Sequence, residues 1–241
     1  MKNFTILLIV LIFTKTLIAK DFTIGVATWV PFLFTETKEV KGISIDYVKE
    51  LTKRMNVNLV IKKVPWARSL KMLKQGKLDA VVNMVETEQR KEYITFTSPP
   101  YAKLTTRFYI HKDNTDLIKK YTDLYKYRIG FVRNSAYFEP FNSDEKINKY
   151  GVNTESQLLA MLVKKRFEVI IGTDIQVDYE IAQKGYKPFI TKASYMPSND
   201  VLIRIGISNK SPFIKDLKTI NKYTKEIVQE GLIEVYKEKY R

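Results

Sequence analysis

The sequence predicts an α/β protein made of two lobes of one design, on three observations. Short apolar strands alternate with helical patterns through the first half of the chain, and such alternation argues for layered, mostly parallel sheets. The second half repeats that grammar. Two long β-type runs lie between and after the halves, and the chain ends in helices that no strand follows.

The first half opens with the strand Phe22–Ala27, which runs into the aromatic turn Thr28-Trp29-Val30-Pro31-Phe32, where Pro31 opposes helix. A helix starts at Ile43, with Ile45, Val48, Leu51 and Met55 on one face. Leu59–Ile61 is a second strand. Pro65 breaks the chain, Trp66 opens a helix with Leu70 and Leu73 inward, and Gly76 stops it. Leu78–Val82 is a third strand. In the second half, Tyr127–Val132 is a strand, and Arg133–Ala136 is expected to turn into a helix. Ser156 is expected to cap a helix through Leu158, Leu159 and Leu162, followed by the strand Phe167–Ile171. The segments from Ser69 to Val82 and from Ser156 to Ile171 share one order of helix, basic turn, acid (Asp79, Glu168) and buried strand.

The long runs are Leu104–Ile110 and Val201–Ile207, and helices follow at Phe213–Val228 and Leu232–Tyr240. The simplest packing returns those helices to the first lobe and makes the two runs a paired, hinge-like crossing. The expected organisation is a leader over 1–19, a first lobe over 20–103, a second over 104–202, and a return segment over 203–241. Ligands in open α/β sheets bind beyond the carboxyl ends of strands, so two facing lobes enclose a cleft.

Residues 1–19 have the layout of a secretory signal: Met1-Lys2-Asn3, an apolar run from Phe4 to Phe13, and Ala19 at the cut. The run is short for a membrane span, which needs about 20 apolar residues. The formal charge is +15, and cleavage removes Lys2 and Lys15 and no acid, leaving +13. The lysines are spread along the chain, so a solvated basic surface is favoured over a nucleic-acid partner. There is no Cys and a single His, His111, which excludes disulfides, a lipidated cysteine and the common zinc sites. No GxxxxGK[ST], HExxH or GxSxG element occurs, and no cofactor is expected.

Arg90 follows the strand Leu78–Val82, one turn after Thr87, which can cap a short helix. A guanidinium can grip a carboxylate through two parallel hydrogen bonds; the alternative is a surface arginine in a Lys/Glu-rich loop. The segment Gly-Lys-Leu-Asp79-Ala-Val-Val, then Thr87-Glu-Gln-Arg90, then Ile94-Thr-Phe96-Thr-Ser98-Pro99-Pro100-Tyr101, resembles the signature of bacterial extracellular solute-binding protein family 3. These are periplasmic receptors of polar amino-acid ABC transporters. Gly42–Asp46, Ile129–Ser135, Ile205-Gly-Ile-Ser and the Gly231 region also fit, so the resemblance covers the mature chain.

The resemblance implies a two-lobed fold of the periplasmic-binding-protein type II class. It also implies a small-molecule ligand, an amino acid or other small carboxylate, and a membrane ABC permease as partner. It implies Arg90 as the carboxylate grip, and Asn134-Ser135-Ala136 as a helix start offering N–H groups and a hydroxyl. Trp66 and Trp29 are implied as aromatic walls, with plain core packing as the alternative, and Arg68 either reaches the cleft or sits on its helix surface. The family's Gly-x-Thr ahead of the arginine loop is Asn83 and Val85 here. Its ammonium-pairing acid falls near Gly172-Thr173-Asp174, where Asp174 pairs the ligand or merely starts a helix. The family's first-lobe acid is replaced by Trp29. The expectation is a periplasmic, monomeric, non-catalytic receptor. A lyase or dehydratase on the same fold would need an acid/base pair, for which Glu86 and Asp174 are the candidates. A receptor docking on a separate membrane sensor is the third reading; a covalently attached sensor kinase is not expected, because the sequence ends at Arg241 without an apolar span.

Overall fold

The computed structural model describes residues 19–114, 117–198 and 200–240, so the leader expected over 1–19 lies, apart from Ala19, outside the described residues. In the first half, β1 (Asp21–Val26) pairs in parallel with β2 (Asn58–Lys63) and with β3 (Ala80–Met84). The connecting helices are α1 (Ile43–Met55) and α2 (Trp66–Lys74). In the second half, β6 (Ile129–Val132) pairs in parallel with β7 (Lys149–Val152) and β8 (Val169–Thr173), with α4 (Glu155–Val163) and α5 (Asp174–Gln183) alongside.

The two parallel sets are joined by antiparallel strands. β5 (Ala102–His111) and β10 (Asp200–Ser208) pair over Leu104–Val201 and Ala102–Ile203. Beyond that stretch they diverge. β10 runs on beside β3 and the short β4 (Ile94–Phe96), and β5 runs on beside β8 and β9 (Ile190–Lys192). Two strands that serve both sheets form the crossing between the lobes.

Each lobe has its own apolar core. The first gathers Phe22, Ile24, Ile45, Val48 and Leu51 with Ile220 and Ile227 from α6 (Leu217–Gln229) and Ile233 from α7 (Leu232–Lys239). The terminal helices therefore return to the first lobe. The second gathers Phe108, Phe138, Phe141 and Ile171 on one sheet face, and Leu158, Leu159, Leu162 and Val177 on the other. Asp79 is a structural staple: its carboxylate accepts the Thr23 N–H (2.8 Å) and the Ser211 hydroxyl (2.7 Å), tying β1 to the segment after β10.

Two local expectations are corrected. No helix begins at Asn134–Ala136. The chain there is a turn and loop, Asn134 has a positive φ of 61°, and Tyr137, Phe138 and Phe141 turn their rings into the core. The Tyr137 N–H is taken by Asn142 Oδ1 at 2.8 Å, and Pro140 has no N–H for a helical bond. The cap of α4 is Thr154, whose hydroxyl accepts the Gln157 N–H at 3.2 Å, and Ser156 lies inside the helix.

Candidate ligand-binding site

The carboxyl ends of β1 and β3 face the ends of β6 and β8, and a cavity of about 580 Å³ lies between the lobes. Ligand sites commonly occupy roughly 300–1,000 Å³. The first lobe lines it with Trp29, Trp66, Ser69, Asn83, Val85 and Arg90, and the second with Ser135, Tyr137, Thr154, Glu155, Thr173 and Glu180.

Arg90 is the buried cation of the lining. Thr87 caps the short helix α3 (Glu88–Lys91) by accepting the Arg90 N–H at 3.3 Å, which fixes the arginine one turn beyond β3. Only 6% of Arg90 is exposed. Its guanidinium donates to the Val85 carbonyl (2.6 Å) and to the Asn134 carbonyl of the other lobe (2.7 Å), and it lies 5.6 Å from the Trp66 ring centroid. Among the described residues no carboxylate pairs with it. Burial without an anion pulls the guanidinium down to about 10, still charged at neutral pH. A fork of donors in this state is suited to a carboxylate.

Both tryptophans line the cavity, and Trp66 also bridges the lobes. Trp66 Nε1–H donates to the Asn134 carbonyl at 3.1 Å, so this one carbonyl receives both Trp66 and Arg90. Trp29 is held by paired backbone bonds with Leu33 (2.9 and 2.8 Å) around Pro31 and packs on Phe32.

Asn83 has a left-handed φ of 59° at the end of β3. Its Oδ1 accepts from the Ser44 and Tyr101 hydroxyls, which leaves the buried Nδ2 with no partner in the protein. Ser69 Oγ and Thr173 Oγ1, on two further residues lining the cavity, are also buried without a partner. A buried polar atom without a hydrogen bond costs about 1–3 kcal/mol. All three atoms belong to residues around one cavity.

Of the residues singled out in the sequence, Arg90, Trp66, Trp29, Asn83, Val85, Ser135 and Thr173 line the cavity. Asn134 does not line it and acts through its carbonyl. Arg68 is exposed and outside the lining; its neighbour Ser69 is the buried residue. Asp174 is also outside, its Oδ1 accepting the Thr105 N–H of the crossing strand β5 (3.1 Å) and the Ile175 N–H (2.8 Å). Glu86 is paired with Lys91 (3.1 Å) and Arg204 (3.4 Å), away from the cavity, so the acid/base pair that a lyase would need is not assembled from Glu86 and Asp174.

The sequence reading missed Glu155 and Glu180. Glu155 opens α4 and is half-buried; burial first, and Glu180 as well, push its carboxyl up to about 7. Glu180 is buried and accepts from Ser156 Oγ (2.5 Å) and Gln176 Nε2 (2.7 Å), with Lys184 at 3.4 Å. The signal that could have found Glu155 is Thr154, the better N-cap, two residues before Ser156.

Comparison with known proteins agrees with this architecture. The model of "Bacterial extracellular solute-binding proteins, family 3" matches residues 22–241. A probable amino-acid-binding protein of Bacillus subtilis, YxeM, is 26% identical over 220 residues, covering 87% of this chain and 79% of that one. A solved structure of ArgBP from T. maritima superposes with a TM-score of 0.78 at 20% identity, over 91% of this chain and 94% of that chain. The amino-acid ABC transporter substrate-binding protein AbpA of Streptococcus pneumoniae, solved with L-arginine, also gives 0.78, at 16% identity and with the same coverage. The fold is the two-lobed, type II periplasmic-binding-protein fold. With residues 22–241 matched, this protein belongs to family 3 of the bacterial extracellular solute-binding proteins.

Proposed function

We propose that this chain is a periplasmic receptor of an ABC-type uptake system that captures a small amino acid or related carboxylate between its lobes and delivers it to a membrane permease. The observation that carries the reading is Arg90: a buried, charged guanidinium in an interlobe cavity, held by two carbonyls and, among the described residues, by no carboxylate. Relatives named as amino-acid-binding and histidine-binding proteins support the ligand class.

Bringing the lobes together would enclose the ligand, the crossing of β5 and β10 acting as hinge. The lobes divide at 103/104 and 202/203, inside that crossing. The receptor is a monomer without catalysis, exported by a leader cut after Ala19; among the described residues no helix is long and apolar enough to cross a membrane. Ser135, Thr173, Asn83 and Val85 complete the ligand contacts around Arg90, with Trp29 and Trp66 as walls.

A thermal-shift screen of residues 20–241 against amino acids, opines, small carboxylates, polyamines and short peptides tests this. A ligand at 100 times its Kd stabilises the folded state by about 2.7 kcal/mol. Stabilisation by a carboxylate-bearing compound is expected. Stabilisation by polyamines alone would overturn the reading.

A further inference from the structure

We infer that helix α5 latches the two lobes together outside the ligand cavity, through Ile175 and Tyr179, and that this contact sets how much of the protein stands closed before any ligand arrives. The inference goes beyond the receptor reading and rests only on its two-lobed closure.

α5 carries two apolar faces. Val177 and Ile181 sit in the core of the second lobe. Ile175 and Tyr179, one turn apart on the opposite face, point away from that lobe. Ile175 packs against the first-lobe core, and the Tyr179 ring meets Phe34 edge to face at 5.9 Å between centroids. Phe34 in turn lies 5.8 Å from the Tyr240 ring. Both sides of the contact are anchored in their own lobes. The Tyr109 hydroxyl donates to Asp178 (3.0 Å) and Asp174 accepts the Thr105 N–H (3.1 Å), which ties α5 to β5. Phe34 exchanges backbone bonds with Lys41 (2.8 and 3.3 Å), and the Tyr240 hydroxyl donates to Asp46 of α1 (3.0 Å).

The contact is separate from the ligand machinery. Phe34, Ile175, Tyr179 and Tyr240 all lie outside the lining of the interlobe cavity. The polar contact between the lobes, Arg90 and Trp66 on the Asn134 carbonyl, uses the guanidinium that a ligand carboxylate would take. A ligand competes with that contact and leaves the one at α5 untouched. A contact made only with the lobes together raises the closed population, and apparent affinity follows the fraction of protein in the binding-competent state. Ile175 and Tyr179 thus tune affinity without touching the ligand.

The latch is also incompletely packed. A cavity of about 280 Å³ lies between Ile175 and Tyr179 of one lobe and Pro31, Ile43 and Tyr240 of the other. The gap keeps the contact weaker than a filled core and leaves space for a larger apolar side chain at position 175.

The test needs no ligand. The chain has no cysteine, so Lys62→Cys in β2 and Lys146→Cys before β7, both at exposed positions, can carry one spin label on each lobe. The protein is unfolded and refolded to strip any retained ligand, and pulsed electron spin resonance reads the distance between the labels. The labelled protein is compared with the same protein carrying Tyr179→Ala, Tyr179→Asp or Ile175→Phe. Melting temperatures establish that the variants fold. Tyr179→Ala is expected to lower the ratio of closed to open protein roughly two- to tenfold, the size of one lost aromatic contact. Tyr179→Asp, beside Glu234 and Glu238 around the same gap, is expected to lower it further. Ile175→Phe is expected to raise it. Distances unchanged by all three variants, or the reverse order, would overturn the latch and leave the receptor reading standing. Since no ligand enters the measurement, a ligand screen that fails would count against the receptor reading alone.

Discussion

Replacing Arg90 by Met separates the two costs that this residue carries. In the absence of ligand the guanidinium is buried against two carbonyls with no anion, a state unfavourable enough to lower its proton affinity. Met keeps most of the volume and removes the charge. The variant loses two hydrogen bonds from a charged donor but also the desolvation of that charge, so ligand-free stability should change by no more than about 1 kcal/mol. Binding has no such offset. Truncating one partner of a buried charge pair costs about 2–5 kcal/mol, which corresponds to roughly a 30- to 4,000-fold rise in Kd. Isothermal titration with the best ligand of the wild type, alongside urea denaturation without ligand, reads both quantities. An unchanged Kd would remove Arg90 from the site. A large loss of ligand-free stability with proportionate loss of binding would make it a structural residue.

Other outcomes follow from the same geometry. Trp66→Phe keeps a ring beside Arg90 but deletes the 3.1 Å bond to the Asn134 carbonyl; it should weaken ligand binding by about 1 kcal/mol and reduce the ligand-induced change in tryptophan fluorescence, and an undiminished change would assign that signal to Trp29. For Glu155, the folded-state value of about 7 against the ordinary 4.5 means that the folded protein holds the extra proton between those values. Stability without ligand should therefore fall as pH rises from about 4.5 to about 7, and Glu155→Gln should flatten that part of the profile. A profile that keeps its slope in the variant would contradict the assignment of that titration to Glu155. Gly25→Ala would place a Cβ 2.5 Å from Leu78 Cδ1 and 2.9 Å from Ser69 Oγ; an overpacking cost of about 1–3 kcal/mol is expected in urea unfolding, and a neutral result would mean that α2 moves freely against β1.

Much of the fold was legible because the strands are short apolar runs with clear punctuation. The pairing of the Leu104 and Val201 runs follows from two long β segments left over after each lobe has its parallel set. Arg90 was legible because Thr87 and the preceding strand fix it at a strand end. The failures lie at single-residue register. At the junction of β8 and α5, Thr173 ends the strand and lines the cavity, whereas Asp174 is the first residue of the helix and turns its carboxylate to the Thr105 and Ile175 N–H groups. Taking Ser156 as the cap of α4 left Glu155 outside the helix, where an acid reads as solvated. The helix expected from the turn Arg133–Ala136 does not form, because Tyr137, Phe138 and Phe141 fold a loop onto the core. Arg68 and Ser69 are neighbours on α2, and only packing against β1 decides which is buried.

The most direct test of the central claim is a crystal structure of residues 20–241 with the best amino-acid ligand of the thermal-shift screen. The account predicts the ligand carboxylate within hydrogen-bonding distance of the Arg90 guanidinium, with Trp29 and Trp66 lining the same cavity. A ligand bound outside the interlobe cavity, or one inside it that leaves Arg90 on its two carbonyls without an anion, would contradict it.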